Sequence, residues 1–70
     1  MNIACSDETV VSTVRGVLLG HGITQVRRQG PNFGSPMIWV LANVPITIGN
    51  DKERAARRVI ALIAGATIYS

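Results

Sequence analysis

The side chains able to do acid–base, nucleophilic or metal chemistry are few. The chain has one histidine, His21, one cysteine, Cys5, and four acids, Asp7, Glu8, Asp51 and Glu53. Acid–base or nucleophilic catalysis needs a nucleophile, a base and an orienting group gathered in one place. The acids instead fall in two pairs at apparent helix starts, where capping and the helix dipole account for them. His21 lies between Gly20 and Gly22 and is expected as an exposed turn residue. Cys5 is expected as a small buried side chain rather than a reactive thiol. One Cys and one His fall short of the three or four ligands a zinc site uses. The glycines form neither a Gly-x-Gly-x-x-Gly run nor a P-loop. The sequence points away from an enzyme, a metal centre and a bound cofactor.

Binding chemistry has more to work with. Trp39 stands in an apolar run, with Met37 and Leu41 on its side by two-residue alternation, and Phe33 lies in the preceding loop. Arg54, Arg57 and Arg58 are spaced i, i+3 and i+4, which groups them on one helix surface able to meet phosphates or an acidic protein. Arg27 and Arg28 form a second basic pair on a polar strand, and either would lie beside Trp39 on the neighbouring strand. Base stacking on Trp39 is one reading of that group. The residues Gly34-Ser35-Pro36-Met37 do not supply the basic-Gly-aromatic-Gly opening of the usual RNA-recognition strand.

The elements that position these residues are read from pattern. Ile3 to Cys5 forms a brief first strand. Ser6 reads as an N-cap, and Val10, Val11, Val14, Val17 and Leu18 share one face of a helix over Asp7 to Leu19, closed by Gly20 and Gly22. Ile23 to Gln29 reads as a polar edge strand. Gly30 to Pro36 is rich in breakers and suits a hairpin loop. Met37 to Val44 has seven apolar residues of eight, so it reads as a central strand covered on both faces. Pro45 interrupts it, and Ile46-Thr47-Ile48 continues bent or forms a short strand of its own. Asn50 reads as the N-cap of a second helix with Glu53 completing a capping-box variant, and Gly65 ends it. Ala55, Ala56, Val59, Ile60 and Ile63 lie on its inner side. Ala66 to Tyr69 returns as a last strand.

Strand, helix, strand, strand, helix, strand is the split β-α-β order of the ferredoxin-like α+β sandwich, with an antiparallel sheet and both helices on one face. That arrangement orders its strands 4-1-3-2. The most apolar strand, the third, then falls inside the sheet and the most basic, the second, at an edge. The turn Leu18-Leu19-Gly20-His21-Gly22-Ile23 resembles the equivalent segment of ACT-type regulatory domains, which would imply a small-ligand module. The likeness spans six residues of common turn chemistry, and Ser6-Asp7-Glu8 stand where those domains carry glycine.

Seventy residues make one domain, spanning 1–70. A chain of this size buries only about 60% of the surface its unfolded form exposes. Hydrophobic residues are 47% and charged residues 16%, with no disulfide partner for Cys5, so more apolar surface is present than one subunit hides. A homodimer is the expected outlet. No run is long enough for a bilayer span, which takes about 20 residues, and nothing resembles a secretory signal, so a cytoplasmic protein is expected. The net charge of +3 permits nucleic-acid or acidic-protein partners without demanding either. The function expected is a small non-enzymatic protein-binding module, acting as adaptor, inhibitor or regulator. Its contacts are Trp39 and Phe33 with Arg54, Arg57 and Arg58. The alternative is a nucleic-acid binder using Arg27, Arg28 and Trp39.

Overall fold

The structure is a computed structural model and describes residues 1–69. Its elements are β1 (Asn2–Cys5), α1 (Glu8–Gly20), β2 (Gln25–Gln29), β3 (Ile38–Asn43), α2 (Asn50–Ala61) and β4 (Ala66–Tyr69). The strands form one antiparallel sheet in the order β2-β3-β1-β4, and both helices lie on one side of it. This is the compact ferredoxin-like arrangement expected from the element order.

The core lies between sheet and helices. Ile3 and Cys5 of β1, Ile38, Val40 and Ala42 of β3, Val10, Val11, Val14 and Leu18 of α1, and Ala56 and Ile60 of α2 are all buried there. Val17 and Ala55 are only half-buried, and Val59 stays 42% exposed, because each sits at the margin of its helix's inner stripe; Ile63, half-buried too, lies beyond the end of the second helix. α1 packs over β3 and β1, and α2 over β4.

Local chemistry moves several boundaries. The N-cap of α1 is Asp7, not Ser6: Asp7 has extended backbone, and its Oδ1 accepts a 3.0 Å hydrogen bond from the Val10 N–H. Ser6 is occupied instead by the sheet, its N–H donating to the Gly65 carbonyl at 3.0 Å. At the other end of α1 the Gly22 N–H reaches Leu19 O at 3.0 Å and the Ile23 N–H reaches Leu18 O at 2.9 Å. That is a Schellman closure, with Gly22 at φ +79 and Ile23 buried near the helix it closes. Ile23 therefore belongs to the cap, and β2 begins at Gln25. Gly20 is helical, so only Gly22 supplies the left-handed position.

The second half differs in two places. Ile46-Thr47-Ile48 is a turn, closed by an Ile48 N–H to Pro45 O bond of 3.0 Å, and neither continues β3 nor forms a strand. The cap position of α2 is Gly49 at φ +88, with no side-chain capping bond, and Asn50 is the first helical residue. A glycine able to adopt positive φ lets the helix start one residue early. The helix ends at Ala61, and Gly65, at φ +89, turns the chain into β4.

The expectation that β3 is covered on both faces is corrected. Its burial alternates: Ile38, Val40 and Ala42 are buried, Trp39 and Leu41 are half-buried and Asn43 is exposed. The helices cover one face only, and the run's apolarity continues onto the open one.

Candidate interaction surface

The strand register assigns every sheet residue to a face. Ala4 is level with Trp39 on one side and Thr67 on the other; Asn2 is level with Leu41 and Tyr69. On the far side Gln25, Arg27 and Gln29 are level with Asn43, Leu41 and Trp39. Side chains of paired residues share a face. The open face thus carries Trp39, Leu41, Tyr69, Arg27, the side-chain amides of Asn2, Asn43, Gln25 and Gln29, Thr67 and Ala4. Among the described residues no acidic side chain stands on it.

Trp39 and Tyr69 lie on strands separated by β1, yet their ring centroids are 5.4 Å apart at an interplanar angle of 56°. The small Ala4 between them makes this possible. Ala4 is only 4% exposed although it stands on the face the helices do not cover. Such a tilted pair contributes about 0.5–1.5 kcal/mol beyond its buried area. Trp39 is thereby held in place while its outer surface stays accessible, and Tyr69 remains 52% exposed. Beside them a shallow groove of about 580 Å³ is lined by Asn2, Gln25, Arg27, Leu41 and Asn43 among others. Asn43 Nδ2 donates to Gln25 Oε1 at 2.9 Å, which ties the two strands at the groove's end.

The arginine pair on β2 is divided. Arg27 lies on the open face beside Leu41. Arg28, one residue on, projects to the helix face, where its guanidinium makes a bidentate ion pair with the Glu8 carboxylate and its Nε donates to Gly30 O at 3.2 Å. Only Arg27 joins Trp39. Period-two alternation makes this separation inevitable for adjacent strand residues.

The helix-two arginines lie on the covered side of the molecule, across the sheet from Trp39. Arg54 and Arg58 are exposed, while Arg57 Nε is paired with Glu53 Oε1 at 3.3 Å. Phe33 stands at the tip of the β2–β3 loop in a turn closed by a Ser35 N–H to Asn32 O bond of 2.9 Å. It is fully exposed and touches no part of the core. Trp39, Phe33 and the arginine patch are therefore three separate surfaces. Tyr69 was missed by sequence reasoning. The signal was present in the strand order: β3 and β4 flank β1, and only a small residue in β1 lets aromatic residues from both meet.

The remaining reactive groups stay apart. Cys5 is fully buried just before α1, and burial, with the Asp7 charge nearby, pushes its thiol above the ordinary value. His21 lies just after α1, so the 13-residue helix, about 20 Å long, separates it from Cys5. It is half-buried rather than exposed, and its Nδ1 donates to Val17 O at 2.8 Å. Among the described residues no group of three or more His, Cys, Asp or Glu is placed to hold a metal ion. No helix among them is long and apolar enough to cross a membrane. Comparison of the chain with family models, curated proteins and solved structures finds no match.

Proposed function

We propose that this chain is a small non-enzymatic interaction module, an adaptor, inhibitor or regulator, that works as a homo-oligomer and presents its open sheet face to a protein partner. The observation that carries the reading is the Trp39–Tyr69 pair on an uncovered face, flanked by Leu41 and Arg27. Trp, Tyr and Arg are the residue types that dominate binding energy at protein interfaces, and a prearranged aromatic pair loses little entropy on contact. Phe33 and the arginines at 54, 57 and 58 are secondary contacts on other surfaces. In the cytoplasm a buried lone thiol such as Cys5 stays reduced.

A second reading has its own support. The open face carries no acid, and Arg27 has no acidic partner among the described residues, so single-stranded nucleic acid is the alternative ligand. Trp39 is the sole tryptophan, so its fluorescence reports directly on this face. The test combines light scattering after size exclusion with a Trp39 fluorescence titration by a single-stranded oligonucleotide at low and high salt. The protein-binding reading expects a dimer at both salts and no salt-sensitive quenching. Quenching that weakens steeply with salt transfers the function to nucleic acid. A monomer that no oligonucleotide quenches removes both readings.

A further inference from the structure

The two edges of the sheet are chemically unlike. β2 is Gln-Val-Arg-Arg-Gln, and the Arg28–Glu8 ion pair joins it to α1. β4 is Ala-Thr-Ile-Tyr, with no charge, no proline and no glycine. Charge on an edge strand discourages pairing with another chain; a neutral, β-prone edge invites it.

The backbone at this edge can be assigned group by group. Ser6 N–H donates to Gly65 O, so Ser6 and Gly65 form a hydrogen-bonded pair of the β1–β4 ladder. Met1 and Ala42 exchange bonds of 2.9 and 2.8 Å in the β1–β3 ladder. Antiparallel ladders alternate between bonded and non-bonded pairs, so both observations give the same phase. Asn2 and Ala4 bond to β4, while Ile3 and Cys5 bond to β3. On β4, Thr67 and Tyr69 face β1, and Ala66 and Ile68 turn their backbone groups outward. The Ala66 N–H is used by Ile63 O at 3.2 Å. Among the described residues, Ala66 C=O and both polar groups of Ile68 are left along the edge. The side chains of Ala66 and Ile68 pack on the core but remain only half-buried, so the core is unfinished at this rim.

We propose that β4 pairs antiparallel with β4 of a second copy of this chain, about a two-fold axis at Thr67, joining the two sheets into one of eight strands. In that register Ile68 N–H of each copy donates to Ala66 O of the other, and the two Thr67 side chains stand opposite each other as a close pair. The interface is self-complementary and closes at two copies. It leaves Trp39, Leu41 and Arg27 uncovered and places two such faces side by side, which is the form the proposed partner-binding role requires. This assignment rests on that role only for its homo-oligomer.

Light scattering over a concentration series tests it with three variants. Ile68→Pro removes the outward donor and leaves the β1–β4 bonds intact, since that N–H is not used within the fold. Thr67→Lys alters an exposed side chain and sets two lysines face to face in the dimer. Gln29→Lys adds the same charge to the other edge. The expected result is a wild-type dimer, dimer dissociation constants raised roughly ten- to a hundredfold in the first two variants, and no change in the third, with far-UV circular dichroism unchanged throughout. A wild-type dimer that survives Ile68→Pro and Thr67→Lys overturns the edge assignment and leaves the homo-oligomer standing. A dimer broken by Gln29→Lys alone moves the contact away from β4 and also overturns it. A monomeric wild type overturns both.

Discussion

β3 presents two faces that are almost equally apolar and are used in opposite ways. Ile38, Val40 and Ala42 point to the helices and are at most 5% exposed; Trp39 and Leu41 point away and are half-buried with no helix above them. The covered face is aliphatic and featureless to chemistry. The open face is aromatic, edged by amides and one arginine, and free of acidic side chains among the described residues. Apolar content therefore does not separate a face that folds the protein from a face that contacts something else. Residue type does: aliphatic side chains fill the core, while Trp and Tyr supply broad, fairly rigid surfaces with polar tips.

The largest expected difference between the faces is in stability. Ile3→Ala empties a fully buried site on the covered face and is expected to cost about 2–5 kcal/mol, enough to unfold many small domains. Leu41→Ala, on the open face, should cost distinctly less, because part of that side chain is already in water. Urea denaturation of the two variants measures the gap. Equal losses would mean that the open face is as well packed as the core and that the two faces do not differ in their contribution to folding.

The fold was legible in the sequence because its signals are local and repeated. Five residues at helical spacing defined α1, and four of them, Val10, Val11, Val14 and Leu18, are buried. The breakers from Gly30 to Pro36 marked the β2–β3 loop, and the basic character of β2 placed it at an edge. The boundaries that moved were decided by competition between neighbours. Ser6 and Asp7 are both good caps, and the ladder bond to Gly65 left the role to Asp7. Ile23 looked like a strand residue until the helix closure claimed it. The candidate surface was half-legible. Trp39 was visible as an aromatic in a strand, but its partner Tyr69 lies 30 positions further along the chain. Only the pairing of β1 with both β3 and β4 brings the rings together.

Gly65 sharpens the comparison from the covered side, because it anchors β4 against α1. A Cβ at this position would lie 2.4 Å from Ser6 Oγ and 3.1 Å from Val10 Cγ2, and the backbone has φ +89. Gly65→Ala is expected to destabilise by about 1–3 kcal/mol through strain alone. Melting curves recorded with Gly34→Ala alongside provide the contrast. Gly34 also has positive φ but nothing within 4 Å of an added Cβ, so its loss should be the smaller. Equal losses would assign the whole effect to backbone conformation.

Cys5 reports on the covered face by titration. Burial raises its thiol above the ordinary value of 9.0, with the Asp7 charge adding to the effect. The folded state therefore holds the proton more tightly than the unfolded state. The resulting stability is fully present below pH 9 and is lost as the pH rises through the folded value. Urea midpoints should fall above pH 9 more steeply in the wild type than in Cys5→Ala. Parallel pH profiles would show that the thiol's surroundings contribute nothing to folding.

The smallest effects come from the two adjacent arginines, and they divide most cleanly. Arg28 is on the covered face with its guanidinium held by Glu8, at side-chain exposures of 38% and 63%. Arg28→Ala should lower stability by about 0–1 kcal/mol, as for exposed ion pairs generally, and less so in high salt. It should leave binding at the open face untouched. Arg27 has no such partner, so Arg27→Ala should leave the urea midpoint where it was. Its effect should appear instead as weaker association of whatever ligand quenches or shifts Trp39 fluorescence, chiefly through a slower on-rate. A double-mutant cycle of Arg28→Ala with Glu8→Ala measures the first term directly. If Arg27→Ala proved the more destabilising of the two, the open face would be contributing to the fold itself, and its uncovered aromatic pair would lose its standing as a contact surface.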